Sequence, residues 1–205
     1  MSWIIMSVLG AVPLCASREI PHFVDALFEI VSGFTTTGAS IVPDVEALSH
    51  TALFWRSFSH WIGGMGVLVF LMALLPLLGG ENNMHLLRAE SPGPIVSKLV
   101  PRMRKTAGIL YVIYLCMTLL QAVLLLISGL PLFDSICMSL GTAGTGGFGI
   151  VGDSAASYTA VQQVIITVFM MLFGVNFSFF YLLLLKRVKD AFRMEEVRWY
   201  FAIFT

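Results

Sequence analysis

Two glycine-centred runs carry the most specific chemistry in this chain: Gly33-Phe34-Thr35-Thr36-Thr37-Gly38-Ala39-Ser40 and a looser echo, Gly144-Thr145-Gly146-Gly147-Phe148. Each lies among long apolar stretches and carries no side-chain charge. A short extended segment of this kind offers successive peptide oxygens to a dehydrated monovalent cation, replacing its water without a full negative charge that would trap it. Glycine reaches the backbone angles that turn neighbouring carbonyls toward one axis. Thr36, Thr37 and Thr145 with Gly38 and Gly147 are the candidate positions. Bare backbone is tolerated at membrane depth only where it is buried in protein or faces water, because an unpaired C=O in hydrocarbon costs several kcal/mol. The two loops are therefore expected to line something wet.

The elements that must hold them are membrane elements. Hydrophobic residues make up 58% of the chain against 12% charged, outside the usual soluble range. The fold class expected is all-α integral membrane, built from repeated helix, pore half-helix, filter loop and helix units. Net charge is zero, and without a clustered basic face nucleic acid is excluded as a partner. Cys15, Cys116 and Cys137 sit in apolar runs without metal or disulfide spacing and read as small buried hydrophobes.

Hydropathy divides the chain into two similar halves. Met1 to Ala16 is apolar but short of the roughly 20 residues of a spanning helix. Phe23 to Phe34 is a short span ending at the first loop, and His60 to Leu78 is long enough to cross. Gly79 to Lys105 is a charged, proline-containing linker. The order then repeats: a spanning run from Ala107 to Ile127, a short piece from Leu132 to Leu140, a glycine-rich loop, and a spanning run from Val161 to Leu185. Sliding one half onto the other by 109 places sets Asp134 on Asp25 and Gly147 on Gly38. The expected organisation is a first membrane repeat at 1–79, a cytoplasmic linker at 80–105, a second repeat at 106–185, and a linker opening a third repeat at 186–205. The linker and the segment after Leu185 hold ten of the twelve Lys and Arg residues. The positive-inside rule makes their side cytoplasmic. Arg18 and Arg56 are left on the opposite side, toward which both loops open.

Other polar residues have quieter readings. Asp25 and Asp134 are expected to cap their half-helices, where carboxylates are favoured, and with Asp153 they stand on the mouth side. Glu29 is deeper and needs a partner or water; an intramembrane carboxylate is a functional candidate by default. His60, beside Trp61, reads as an interfacial anchor at a helix start, and the Gly63-Gly64-Met65-Gly66 cluster as a tight helix crossing. His22, His50 and His85 fall in loops without ligand spacing. Gly144 to Gly149 fits G-x-G-x-x-G, but a polar turn follows where the dinucleotide fingerprint requires a helix, so that match is set aside. No Ser/His/Asp or paired-carboxylate arrangement emerges.

Phe28 to Ala39, then Phe54-Trp55-Arg56-Ser57-Phe58-Ser59-His60-Trp61-Ile62-Gly63-Gly64-Met65-Gly66, resemble the TrkH/TrkG branch of the Trk/Ktr/HKT superfamily of potassium uptake proteins. Arg88 to Pro94 and Thr145 to Phe148 extend the match over nearly the whole chain. The resemblance implies four such repeats around one pore, a homodimer in the bacterial inner membrane, and gating by a cytoplasmic nucleotide-binding partner of the TrkA type. It implies K⁺ as transported ion with no covalent cofactor, and a K⁺ filter at Thr36, Thr37 and Gly38 with Thr145, Gly146 and Gly147. Only the first two repeats match, so the chain is expected to be a piece of a longer one, its apolar restart at Val197 opening the next helix. The alternatives are a non-conducting membrane scaffold and a membrane-embedded enzyme using Glu29 or His60.

Overall fold

The computed structural model describes residues 2–66 and 96–204, and every regular element among them is helical. In chain order these are α1 (Ser2–Ala16), α2 (Phe23–Phe34), α3 (His50–Gly64), α4 (Val96–Ile127), α5 (Leu132–Ala143), α6 (Ala160–Gly174), α7 (Phe177–Leu184), α8 (Val188–Ala191) and α9 (Glu195–Phe204). They fall into two compact units. One joins 1–64 to 116–175 and holds both glycine loops; the other joins 65–115 to 176–205.

Within the first unit α1 packs on α2, α2 on α3, α3 on α5, and α5 on α6. The α1–α2 contact depends on Gly10, where a Cβ would lie 2.8 Å from Ile30 Cγ2. The Trp55 indole then donates to the Gly10 carbonyl at 2.8 Å and draws α3 to α1. α2 buries Ala26, Glu29, Ile30, Ser32, Gly33 and Phe34, a stripe at helical spacing that includes an acid. Its counterpart α5 has the same 12-residue length and lies 109 places on at both ends.

Helix ends follow local rules. Ser49 Oγ accepts from the Ala52 amide at 3.3 Å, so α3 starts at His50, well before the apolar run expected from His60. The side-chain cap, rather than the onset of hydropathy, sets the boundary. His60 and Trp61 are consequently interior helix residues, not an entry anchor, and the remainder of the expected span to Leu78 lies outside the described residues, as do His85 and the Arg88 to Pro94 match. Thr159 and Gln162 form a reciprocal capping box that starts α6.

Three other expectations shift. α4 begins at Val96, so the last part of the expected linker is helical. Its segment Gly108–Ile127, of 20 residues and mean hydropathy 2.4, is the one helix among the described residues long and apolar enough to cross a membrane. Its exposed Leu119, Leu120, Val123, Leu126 and Ile127 form the kind of contiguous apolar face that soluble chains avoid. The run from Val161 to Leu185 is divided: α6 ends at Gly174, Val175 is extended with ψ 141°, and α7 starts after Asn176. Glycine propagates a helix poorly and asparagine favours the position before one, so continuous hydropathy did not mean a continuous helix. Cys137 is buried and Cys15 half-buried, whereas Cys116 is exposed, contrary to the expectation of three buried thiols.

Candidate ion-binding loops

Both half-helices end in the same backbone manoeuvre. After α2 the amides of Thr36 and Thr37 turn back onto the carbonyls of Gly33 and Ser32 at 3.0 and 2.9 Å, closing the helix in a Schellman-type cap. Thr36 occupies the left-handed position at φ +54°, and Gly38 follows at φ +74°. After α5 the Thr145 amide reaches the Thr142 carbonyl at 2.8 Å, with Thr145 at φ +54° and Gly147 at φ +81°. A β-branched residue in this region is a true outlier. Its recurrence at equivalent places means that the surrounding structure imposes it. Around the first turn Thr35 Oγ1 donates to the Val31 carbonyl at 2.7 Å and lies 2.8 Å from Thr37 Oγ1.

The loops meet. A Cβ on Gly38 would collide with the Gly146 carbonyl, and one on Gly146 would lie 2.6 Å from the Thr36 carbonyl oxygen and would collide with His60 Nε2. The candidates from the two halves of the sequence are thus brought to one place, and Gly38 and Gly146 are glycine because backbone faces backbone there. Gly147 has nothing within 4 Å of its Cβ direction, so its positive φ alone calls for glycine. Thr37, Thr145 and Gly147 are exposed, while Thr36, Gly38 and Gly146 are half-buried.

Behind the first loop lies a buried ion pair. Glu29 and Arg56 are 0% and 2% exposed. Arg56 approaches Glu29 Oε1 with Nη2 at 2.6 Å and with Nε at 2.7 Å. Ser40 Oγ donates to the same oxygen at 2.8 Å, the Ile41 amide donates to Oε2 at 3.0 Å, and Arg56 Nη2 also reaches Ser40 Oγ at 3.1 Å. A buried pair repays its desolvation only when its remaining donors and acceptors are satisfied in this way. The arrangement buckles the far end of the loop onto α2 and α3. Arg56 also stands 4.6 Å above the Phe148 ring, a cation–π contact that carries the brace to the second loop.

His60 completes the wall. It is fully buried, packs edge-on against Phe148 with centroids 4.5 Å apart, and closes no well-formed hydrogen bond at either ring nitrogen, the Thr36 backbone lying within reach. A Cβ on Gly144 would lie 2.7 Å from His60 Cδ2. Deeper in the packing, Gly33 fits against Ser59, Gly63 against the Phe34 carbonyl, and Gly141 against the Phe148 carbonyl. The close approach expected of the Gly63 cluster is thus made to the end of α2.

The acids differ from their expected duties. Asp25 and Asp134 lie in the first turns of α2 and α5 but make no capping hydrogen bond; His22 and Pro131 hold the cap positions. Their carboxylates face the helix dipole without closing an amide. Asp153 accepts from Ser157 Oγ at 3.2 Å. Glu46, which the sequence reading passed over, accepts the Gly152 amide at 3.1 Å across 106 positions. Arg56, counted with Arg18 on the side opposite the basic linker, is buried in α3. No set of three or more His, Cys, Asp or Glu residues that could hold a metal ion occurs among the described residues.

Comparison with known proteins agrees with this architecture. Residues 1–204 match the TrkH family, described as cation transport protein, a family of transporters rather than enzymes. The chain is 37% identical over 207 residues to the Trk system potassium uptake protein TrkG of Escherichia coli K12, covering 99% of this chain and 42% of that protein. It is also 37% identical to the Salmonella typhimurium TrkH, covering 98% of this chain and again 42% of the relative. The crystal structure of the potassium transporter TrkH from Vibrio parahaemolyticus superposes with a TM-score of 0.66 at 31% identity, over 87% of this chain and 35% of that one. The chain therefore spans about two fifths of the length of its curated relatives.

Proposed function

We propose, since the chain belongs to the TrkH family of cation transport proteins, that it forms part of a potassium uptake pathway whose filter is built from backbone carbonyls. Thr36, Thr37 and Gly38 supply one wall and Thr145, Gly146 and Gly147 another. The observation that carries the reading is the paired positive φ at 36 and 38 and again at 145 and 147. In an ordinary extended strand successive side chains and peptide groups alternate sides. Interleaving left-handed residues turns neighbouring carbonyls to one side, as a file of dehydrated cations requires. The half-helices α2 and α5 end at these loops, and their C-terminal dipoles add a fixed cation-favouring field.

The relatives are named potassium uptake proteins, and K⁺ is accordingly the proposed cargo, with no covalent chemistry and no resident cofactor. The proposal extends to a multi-pass position in the bacterial inner membrane, a homodimer, and a cytoplasmic nucleotide-binding regulator of the TrkA type. Two walls leave the ion half enclosed, so the remaining carbonyls come from further repeats or a second copy. Expression of the complete gene product carrying this chain should restore growth on low potassium to cells lacking their own uptake systems. Gly38→Ser and Gly147→Ser should abolish rescue or admit Na⁺. Unchanged K⁺ uptake and K⁺/Na⁺ discrimination in both variants, at equal membrane levels, would overturn the reading.

A further inference from the structure

We infer that His60 is a positioning residue of the filter: the nitrogen-bearing edge of its ring braces the Thr36 carbonyl of the first loop against Gly146 of the second and so fixes the separation on which ion discrimination depends. The inference rests on the filter reading proposed above.

Three observations carry it. The place that a Cβ on Gly146 would take is shared by His60 Nε2, with which it would collide, and by the Thr36 carbonyl oxygen 2.6 Å away, so the imidazole edge and that carbonyl come together on one side of Gly146. The same ring lies along Gly144 and edge-on to Phe148, contacting the second loop over several residues. Finally, the ring is fully buried with no well-formed hydrogen bond at either nitrogen, the Thr36 backbone being the acceptor within its reach. A buried polar group in that condition costs stability, and an apolar ring of the same size would avoid the cost. Packing alone thus gives no reason for an imidazole here. A filter does: the distance between opposed carbonyls decides which dehydrated cation they fit, and a ring with a polar edge can hold a peptide oxygen that a phenyl would repel.

His60→Phe keeps the ring volume and removes both nitrogens, whereas His60→Gln returns an amide donor at similar reach. In the complete gene product, matched for membrane level and for monodispersity in detergent, uptake of K⁺ is measured against competing Na⁺ and Rb⁺. The expected result is that His60→Phe transports K⁺ but loses about tenfold in K⁺/Na⁺ discrimination, and that His60→Gln recovers most of it. A merely structural role would lower the amount of folded protein and leave the ratio unmoved. Wild-type discrimination in His60→Phe, while Gly38→Ser alters it, overturns the role of His60 alone. Wild-type discrimination in both overturns the filter reading beneath it. Should His60→Phe not reach the membrane, the ratio in His60→Gln against that in His60→Ala decides: equal ratios overturn the brace, and a preserved ratio in the glutamine variant alone supports it.

Discussion

Arg56 and Glu29, 27 positions apart and both removed from solvent, are joined through two guanidinium nitrogens to one carboxylate oxygen. Because Ser40 and Ile41 complete the shell, the pair holds the end of the first glycine loop as well as α2 and α3. Removing one partner leaves a buried charge uncompensated. Glu29→Ala or Arg56→Ala is therefore expected to cost about 3–5 kcal/mol. The double variant Glu29→Leu/Arg56→Met should recover much of the loss, as read by thermal unfolding in detergent with fluorescence-detected size exclusion. Additive losses in the double variant would show that the two groups act independently.

Gly38 and Gly147 share a left-handed backbone but differ in their surroundings, and alanine separates the two effects. Gly147→Ala should carry only the conformational penalty, about 1–2 kcal/mol. Gly38→Ala adds a collision with the Gly146 carbonyl and should destabilise more while displacing the second loop. Equal losses of thermal stability in the two variants would contradict the loop contact.

Tyr158 lies in the loop before α6 with a buried hydroxyl that lacks a partner. Burial pushes its phenol up to about 12, helped by the Asp134 and Asp153 carboxylates. A folded-state value above the ordinary 10.0 favours the neutral form, so the fold carries no ionisation penalty from this phenol below pH 10 and loses stability as pH rises from 10 toward 12. Tyr158→Phe should raise stability at neutral pH by about 1 kcal/mol and flatten the alkaline decline. A lower melting temperature in this variant would reveal a hydrogen bond to the hydroxyl.

The Trp55 indole is bonded to the Gly10 carbonyl. Trp55→Phe preserves most of the apolar contact and deletes that bond, for an expected cost of about 1 kcal/mol. Proteolysis between α1 and α2 should become faster. An unchanged cleavage rate would mean that Gly10 packing alone secures α1.

Much of this was legible in the residues. Alternating long and short apolar runs exposed the half-helices, and α2 coincides with the short span read from hydropathy. The Gly/Thr loops were visible because few residue types suit bare backbone in an apolar setting. The starts of α3 and α4 were obscured because polar residues precede the apolar run in each. The interruption at Gly174 to Asn176 was hidden because the runs on both sides of it are apolar but for Ser178. The partner of Glu29 was not legible either. An arginine flanked by Trp55 and Ser57 looks like a surface charge until tertiary packing turns it inward, and no local pattern announces a neighbour 27 positions away. Likewise, the burial of His60 depends on the second loop arriving from far along the chain.

The polar seam of α3, with Arg56, Ser57, Ser59 and His60 all buried, bears on how the protein is made. A lone arginine at the middle of a helix opposes translocon-mediated insertion by about 2.5–3.5 kcal/mol. Glu29 emerges earlier, on α2, and neutralises that charge once the two segments pair. Were these segments inserted into a bilayer, the pair would favour co-insertion of α2, its loop and α3 as one hairpin, with the acid acting as an escort for the base.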